Sequence, residues 1–149
     1  MKTKFFAAVA LASAFTFVSP AEAQNVNSDV NANVRRLIET RECSGCNLSG
    51  ANLQGAHLIG ADLRNANLKG ANLKNANLEG ADMTGANLQS ANLTSAFINS
   101  VSMNNANLTN ANLTNAHFVS NELDGANLIG VNLTGATIYN VNIGIGGEY

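Results

Sequence analysis

Two cysteines and two histidines are the side chains best suited to chemistry in this chain. Cys43 and Cys46 form a Cys-x-x-Cys motif, and the sequence contains no other cysteine. A pair at this spacing can exchange disulfides, bind zinc together with two further ligands, attach haem, or form a disulfide of its own. Haem attachment requires a histidine directly after the second cysteine, where Asn47 stands. Disulfide exchange favours a cysteine at the beginning of a helix, whereas this pair follows a predicted helix.

The sequence offers little for catalysis beyond these cysteines. His57 and His117 have no Ser, Cys or Asp partner in register with them. A nucleophile–base pair, a phosphate-binding loop and a cluster of metal ligands are the patterns that would indicate an enzyme, and none is present in the sequence. We therefore expect a protein that is not an enzyme, with no catalytic residue, no metal site and no cofactor.

A repeat of five residues organises most of the chain. A large apolar residue stands at every fifth position in twenty consecutive units, and a small residue, usually Ala, precedes it by two positions. Neither an α-helix nor a β-strand has a period of five. A short, strict period instead indicates stacked copies of one unit, each of which buries its apolar side on its neighbours. The expected core consists of Leu48, Leu53, Leu58, Leu63, Leu68, Leu73, Leu78, Met83, Leu88, Leu93, Ile98, Met103, Leu108, Leu113, Phe118, Leu123, Leu128, Leu133, Ile138 and Ile143.

The repeat is similar to that of a known family. The unit Ala51-Asn52-Leu53-Gln54-Gly55 and its successors, over residues 46–145, resemble the pentapeptide-repeat family, whose pattern is A(D/N)Lxx and whose exported members are common in cyanobacteria. The resemblance implies an all-β solenoid, a right-handed quadrilateral β-helix in which four units form one square coil. The Leu and Ala positions would face inward and the other three outward. About five coils at ~4.8 Å each would make a rod roughly 24 Å long.

The resemblance does not imply one activity, because relatives range from topoisomerase-binding DNA mimics to exported proteins without an assigned function. After residue 23 the sequence has six Lys and Arg against nine Asp and Glu, and none of the basic residues lies beyond Lys74. Nucleic-acid binding needs a positive stripe, and DNA mimicry needs a dense acidic surface. We therefore expect no nucleic-acid partner, and a DNA-mimic topoisomerase inhibitor is the least favoured function.

Residues 1–23 have the pattern of a secretory signal peptide. Lys2 and Lys4 precede an apolar run over residues 5–18, and Ala21-Glu22-Ala23 forms a small-x-small cleavage site. The apolar run is short for a membrane span. We therefore expect an exported protein that has no membrane anchor after cleavage. The periplasm, the thylakoid lumen and secretion from the cell all fit this expectation.

Residues 24–45 are expected to lead into the repeat and to cap it. Over roughly residues 29–40 we predict a short amphipathic helix whose apolar face is formed by Val30, Val34, Leu37 and Ile38. This face would cover the open end of the first coil, because the terminal unit of a solenoid otherwise exposes its core. The alternative is a helix that binds another protein.

The five-residue register also predicts where the cysteines and histidines lie in the solenoid. Carried backward, it gives Cys43 a central position and Cys46 the following small position, so both would face inward. In an oxidising, exported setting two such thiols should form a disulfide, which would fix the capping helix to the first coil. His57 and His117 would lie three coils apart, roughly 14 Å, so they could not complete a zinc site together.

One outer side of the column departs from the repeat. When the units are arranged in fours, the outward positions of the third side contain aromatic and β-branched residues. A contiguous exposed apolar patch of this kind indicates a contact surface. We call this set the partner face: His57, Ile59, Phe97, His117, Val119 and Tyr139. The alternative is that some of them, Phe97 especially, only stack on neighbouring coils. The predicted function is an exported scaffold or protein-binding module whose protein partner the sequence does not identify.

The C-terminal end of the repeat has no predicted cap. Residues 146–149 form a tail after the repeat, and the sequence there offers no helix. An uncovered end of a β-solenoid is an edge that invites pairing. We expect a weak homodimer through this end, which would suit a structural element that self-associates. The alternative is that Ile145 and Tyr149 fold back as a small plug.

One inward position breaks the rule of the repeat. Asn121 stands at a small position, where Ala is the rule. A buried amide needs hydrogen-bond partners. Asn121 therefore either bonds a loosened backbone turn or marks a local bulge.

Overall fold

The computed structural model describes residues 20–142, with side chains from residue 28 onward. Its elements are one helix, α1 (Pro20–Thr40), and three short strands, β1 (Phe97–Asn99), β2 (His117–Val119) and β3 (Thr137–Tyr139). Most of the predicted signal peptide and the segment 143–149 lie outside the described residues, so the signal peptide stays a prediction. In the described part of the chain, no helix combines the length and the apolar character that crossing a bilayer requires.

From residue 42 to residue 142 the backbone pairs with itself at a spacing of twenty residues. Parallel bridges join Asn47 to Asn67 and Asn67 to Asn87, and the same spacing recurs in columns that begin at Glu42, Asn52 and His57. Four five-residue units separate each bridged pair, and the bridges fall into four columns. The chain therefore turns once in four units and has four sides, which confirms the predicted grouping of the units by fours.

Backbone hydrogen bonds join each coil to the next. The Leu48 N–H donates to the Asn67 carbonyl at 2.7 Å, and the Asn67 N–H donates to the Cys46 carbonyl at 2.8 Å. Most corners are closed locally, as where the Ala51 N–H donates to the Leu48 carbonyl at 3.0 Å. Buried backbone groups are thus satisfied within the column, as a solenoid requires.

The fifth residue of each unit turns the chain through the left-handed region. Gly50 has φ 65° and Asn65 has φ 55°, and the other corners are likewise occupied by Gly, Asn or Ser. Gly adopts this conformation without steric cost and Asn tolerates it, whereas most residues do not. The narrow choice of residue at the fifth position is therefore dictated by the backbone.

The central and small positions fill the axis of the column over most of its length. Every central residue from Leu48 to Leu123 is buried, and so is every small residue from Ala61 to Ala116. Burying one Leu side chain contributes roughly 1.5–3 kcal/mol to folding. The inward prediction is therefore confirmed for these residues, which form one continuous core.

The core prediction is wrong for the last coil. Leu128, Leu133 and Ile138 are 39%, 41% and 50% exposed, and Ile143 lies outside the described residues. The three exposed side chains help to line an apolar cavity of about 300 Å³, here called the C-terminal cavity. A central residue of a solenoid is covered only where a further element lies over its coil. No described residue lies over the last coil.

The predicted helix is longer than expected. It ends at Thr40, as predicted, but begins at Pro20 rather than near residue 29. Proline suits the first position of a helix, and the Ala and Glu residues that follow it favour helix formation. The prediction missed this part because it relied on an apolar face, and residues 20–29 have none.

Helix α1 covers the first coil. Val30 and Leu37 are buried in the same core as the repeat, and the Asn33 amide donates to the Asn47 carbonyl at 3.1 Å. Ile38, assigned to the same apolar face, is 42% exposed and lies at the edge of the contact. Helix α1 therefore packs against the first coil, with a narrower apolar face than predicted.

Candidate partner-binding site

The cysteine pair is a buried structural link. Cys43 and Cys46 form a disulfide with a Cα–Cα distance of 5.2 Å, and their exposed fractions are 0% and 6%. The Cys43 N–H donates to the Asp62 carbonyl of the next coil at 2.8 Å. The disulfide therefore lies where α1 meets the first coil, as the sequence predicts. Its burial keeps solvent thiols away, which does not suit a redox centre.

The two histidines belong to one column of the partner face but do not meet. His57 bridges to Asn77, Asn77 bridges to Phe97, and Phe97 pairs with His117. Three coil spacings therefore separate the histidines, roughly 14 Å. Within the described residues, no group of three or more His, Cys, Asp or Glu side chains is placed to hold a metal ion.

The three strands of the described structure all lie on the partner face. They form one parallel sheet in the order β1-β2-β3, with Phe97, His117 and Thr137 in register. A second register line joins Asn99, Val119 and Tyr139. The side that the sequence singled out for its composition is thus also the side with a different backbone.

An opened corner accompanies this sheet. At the end of β1 the Val101 N–H donates to Asn121 Oδ1 at 2.8 Å, and Asn121 Nδ2 donates to the Ile98 carbonyl at 2.7 Å. In the units outside β1, β2 and β3 the corresponding N–H and carbonyl bond each other. Asn121 is only 1% exposed, so its amide from the following coil replaces that local bond. Of the two alternatives for Asn121, bonding to a loosened turn is the correct one.

The centre of the partner face is an aromatic pair. The rings of Phe97 and His117 are stacked, with centroids 4.9 Å apart and planes 5° from parallel. Phe97 nevertheless remains 46% exposed. The expectation that Phe97 stacks on a neighbouring coil and the expectation that it forms part of an exposed patch are therefore both met.

The partner face divides into two parts. Phe97, His117, Val119 and Tyr139 lie on three consecutive strands, where Val119 is half-buried and Tyr139 is 71% exposed. His57 and Ile59, both exposed, lie two coils before Phe97, with Asn77 and Glu79 between them and the sheet. The structure therefore brings four of the six predicted residues together as one cluster and leaves the other two as an outlying pair.

One exposed apolar residue was missed by sequence reasoning. Ile129 is 72% exposed on the side that begins with Leu48, which the repeat marked as a solvated wall. The signal was present, since the same position in earlier coils is occupied by Ser49, Lys69 and Gln89. Ile129 lies in the last coil and directly follows Leu128, which lines the C-terminal cavity.

The side of the column that follows the partner face carries an ion pair in its early coils. Arg64 donates to Asp62 at 2.6 Å and lies 3.8 Å from Asp82. The hydrogen bond from the Arg64 side chain holds the pKa of Asp62 below its ordinary value. Beyond Lys74 the sequence has only acidic charges, and the exposed Glu122 and Asp124 follow β2 around the corner from the cluster. The charged residues that follow β1 in the sequence are therefore all acidic.

The pairing at twenty residues, the left-handed corners and the capped core define a solenoid of five-residue units with one chemically distinct side. A family model described as pentapeptide repeats (8 copies) matches residues 42–80, 61–99 and 102–138, which together make up more than half of the chain. The chain belongs to the pentapeptide-repeat family. Proteins of this family adopt a right-handed quadrilateral β-helix.

Solved structures similar to this chain include a pentapeptide repeat protein from the thylakoid lumen of Arabidopsis thaliana. It is 35% identical, with a TM-score of 0.50 and coverage of 66% of each chain. A trypsin-treated variant of QnrB1, a plasmid-mediated fluoroquinolone resistance protein, is 22% identical, with a TM-score of 0.51 and coverage of 67% of this chain and 62% of that one. At that identity the likeness concerns the fold alone.

HetL, a pentapeptide repeat protein involved in heterocyst differentiation regulation in the cyanobacterium Nostoc sp. strain PCC 7120, is 28% identical. Its TM-score is 0.39, and the match covers 72% of this chain and 55% of HetL. This chain thus spans between 55% and 66% of the lengths of the three proteins. A comparison with curated proteins finds no match.

Proposed function

We propose that this protein is a non-enzymatic, exported scaffold that binds another protein through the partner face. The observation that carries the proposal is the exposed cluster on β1–β3, in which Phe97 and Tyr139 are 46% and 71% exposed. The first two sides of the column present mainly Asn, Ser, Thr, Gln and Lys. An apolar patch within a polar surface is the usual mark of a contact surface, and aromatic side chains supply much of the binding energy at such sites.

The cluster is suited to binding because its side chains are already held in place. Phe97 and His117 stack on each other, and the sheet register fixes the spacing of all three strands. Side chains that are ordered before binding lose less entropy when the complex forms. We infer that the partner meets a preformed surface.

A buried acceptor on the same sheet supports a role beyond stability. Asn99 Oδ1 in β1 is buried and has no hydrogen-bond partner in the described part of the chain. An unsatisfied buried acceptor costs about 1–3 kcal/mol, and such a group in a folded protein calls for an explanation. We infer from this group that the sheet is not optimised for stability alone.

The size of the surface constrains the partner. The cluster extends over three coils, roughly 10 Å along the column. A patch of this length offers less surface than the roughly 800 Å² that each partner of a stable interface buries. The outlying pair, His57 and Ile59, extends the apolar surface to roughly 19 Å. We therefore propose a partner that lies along the column and reaches both parts of the partner face.

The charge around the cluster favours a partner with basic side chains next to its apolar anchors. Glu122 and Asp124 are exposed beside the sheet, and no Lys or Arg follows Lys74. Complementary charge at the rim of an interface raises the association rate and makes binding sensitive to salt. A negatively charged partner such as nucleic acid is correspondingly disfavoured.

Export is supported by two observations. The related protein at 35% identity comes from a thylakoid lumen, and the buried Cys43–Cys46 disulfide suits an oxidising compartment. We therefore place this protein outside the cytoplasm, in the periplasm or thylakoid lumen or secreted from the cell, as a column of about five coils at ~4.8 Å per coil.

Affinity capture tests the function. The protein without residues 1–23 is immobilised and incubated with the native envelope fraction, and bound proteins are identified. The double variant Phe97→Ser/Tyr139→Ser should retain the fold and lose the captured protein. A matched variant on the opposite side, Gln89→Ser/Thr109→Ser, should retain it. Equal capture by both variants would show that the partner face is not the binding site.

A further inference from the structure

The partner face lies on two parallel rows of side chains that run along the column. The first row contains His57, Asn77, Phe97, His117 and Thr137, and the second contains Ile59, Glu79, Asn99, Val119 and Tyr139. Successive members of a row are one coil apart, ~4.8 Å, and the rows are separated by two residues of chain, about 7 Å. Together the two rows form a narrow surface, here called the strip, that spans about 19 Å of the column.

Glu79 is the only Asp, Glu, Lys or Arg in the strip. It is exposed, and it forms no ion pair with any residue whose side chain is described, from 28 to 142. Ile59, one coil before it, is 52% exposed, and Phe97, one coil after it, is 46% exposed. A carboxylate that becomes covered has to meet a cation, because removing an unpaired charge from water is costly. A partner that covers the strip must therefore place a Lys or Arg between two apolar contacts.

The backbone hydrogen-bonding groups of the strip are already used within the column. The Phe97 N–H donates to the Ala76 carbonyl at 2.9 Å, and the Gly80 N–H donates to the Asn99 carbonyl at 2.9 Å. A partner in extended conformation could not add a strand here, and its own backbone groups would be covered without hydrogen bonds. An α-helix satisfies its backbone internally, so it can lie on the strip through side-chain contacts alone.

The spacing of the coils also suits an α-helix that lies along the column. One helical turn rises 5.4 Å and one coil ~4.8 Å, so each turn faces about one coil and the mismatch over the whole strip is only about 2 Å. Side chains at i, i+4, i+7, i+11 and i+14 share one face of a helix. In a polyproline helix the side chains that share a face are about 9 Å apart, which would leave every second coil without a contact.

We propose that the strip binds an amphipathic α-helix of the partner protein, and that a Lys or Arg of this helix pairs with Glu79 between two apolar contacts. Position i of the helix lies on Ile59, i+4 on Glu79 and i+7 on Phe97. The apolar positions i+11 and i+14 then lie on Val119 and Tyr139. The inference rests on the proposed function, and it specifies which part of a partner occupies the site and which residue selects it by charge.

Helix α1 of a second copy of this chain does not meet these requirements. Its apolar residues Val30 and Leu37 have the spacing i and i+7, but both are buried in the core of their own column. Among its exposed residues from 28 to 40, Ile38 is the only large apolar one. A single apolar contact cannot cover both Ile59 and Phe97. We therefore assign the strip to a helix of a different protein.

The test uses a fluorescent peptide of about 18 residues that a side-chain link on its outer face holds in helical form. Its inner face has Leu at i, i+7, i+11 and i+14 and Lys at i+4. Fluorescence anisotropy gives its Kd for the protein without residues 1–23. The variant Phe97→Ser/Tyr139→Ser should weaken binding at least tenfold, and Glu79→Gln should weaken it about threefold. The control Glu39→Gln removes the same charge from α1 and should leave Kd unchanged.

An exchange of charges distinguishes direct pairing from damage to the fold. Glu79→Lys should weaken binding of the Lys peptide about tenfold, and a second peptide with Glu at i+4 should restore it. The pairing would be overturned if the Glu peptide bound Glu79→Lys no more tightly than it binds the parent protein. The proposal as a whole would be overturned if the parent protein bound the Lys peptide no better than a peptide of the same composition in scrambled order.

Capture of the native partner separates this inference from the proposed function. Capture that requires Phe97 and Tyr139 but is unchanged by Glu79→Lys would leave the proposed function standing and overturn the role of Glu79. If the parent protein captured nothing while the helical peptide bound as expected, the proposed function would fail and the fit of the strip to a helix would stand.

Discussion

The ring of Phe97 lies flat on the ring of His117 in the following coil, with centroids 4.9 Å apart. The two residues are twenty positions apart in the sequence and are direct partners in the parallel sheet. Each ring therefore shields one face of the other, while the outer edge of the pair stays accessible. The contact links the stability of the sheet to the shape of the proposed binding surface.

Replacement of His117 should weaken the sheet. His117→Ala removes the stacked ring and should lower the free energy of unfolding by about 0.5–1.5 kcal/mol, the range measured for aromatic pairs. His57→Ala is the matched control, because His57 lies in the same column and bridges to Asn77, which has no ring. Urea unfolding compares the two variants. Equal losses for both would mean that the stacking contributes nothing.

Replacement of Asn121 should be costly even though Ala is the rule at its position. Asn121→Ala leaves the Val101 N–H and the Ile98 carbonyl without the buried amide that bonds both. Two unsatisfied buried groups predict a loss of about 2–4 kcal/mol in unfolding free energy. Asn121→Asp keeps an acceptor for Val101 but loses the donor to Ile98, so it should also destabilise. A more stable Ala variant would show instead that this corner can close like the others.

Loss of the disulfide should destabilise the protein modestly. The Cys43→Ser/Cys46→Ser variant releases a loop of four residues, and loop-closure entropy then predicts a loss of about 2 kcal/mol. Thermal unfolding with and without a reducing agent measures the effect. The parent protein should respond to the reducing agent, and the double variant should not. A parent protein that melts equally under both conditions would contradict a stabilising role for this link.

The ion pair of Asp62 and Arg64 predicts a local dependence on pH. Because the folded state lowers the pKa of Asp62, its contribution to stability is present above the ordinary value of 3.8 and is lost as the pH falls through the lowered pKa. The Arg64 side chain is 54% exposed, so the effect on overall stability should be small.

NMR titration of the Asp62 carboxyl group measures this shift directly. Arg64→Gln should move the Asp62 midpoint upward, toward the ordinary value, because it removes the hydrogen bond that causes the shift. Lys69→Gln, which removes a cation elsewhere on the column, should leave the midpoint in place. If both variants moved it equally, general charge rather than the direct contact would be responsible.

The features that repeat every five residues could be predicted from the sequence. One local sequence pattern recurs in every unit, and the backbone takes the same conformation each time. This pattern accounts for the inward positions from Leu48 to Leu123, the turn residues and the grouping by fours. The Cys43–Cys46 link was also predictable, since its two residues are close in the chain and share the same register. Local geometry is sufficient to predict such features because each unit packs against its neighbours in the same way.

The departures from the repeat depended on the tertiary structure. The stacking of Phe97 on His117 and the insertion of Asn121 at the Ile98–Val101 corner each join residues of different coils. Leu128 has the same central position as Leu108, but Leu128 is 39% exposed and Leu108 is 1% exposed. In the described part of the chain a further coil lies over Leu108 and none lies over Leu128. The sequence by itself therefore determined where each side chain points, whereas only the stacking of coils decided what it meets there.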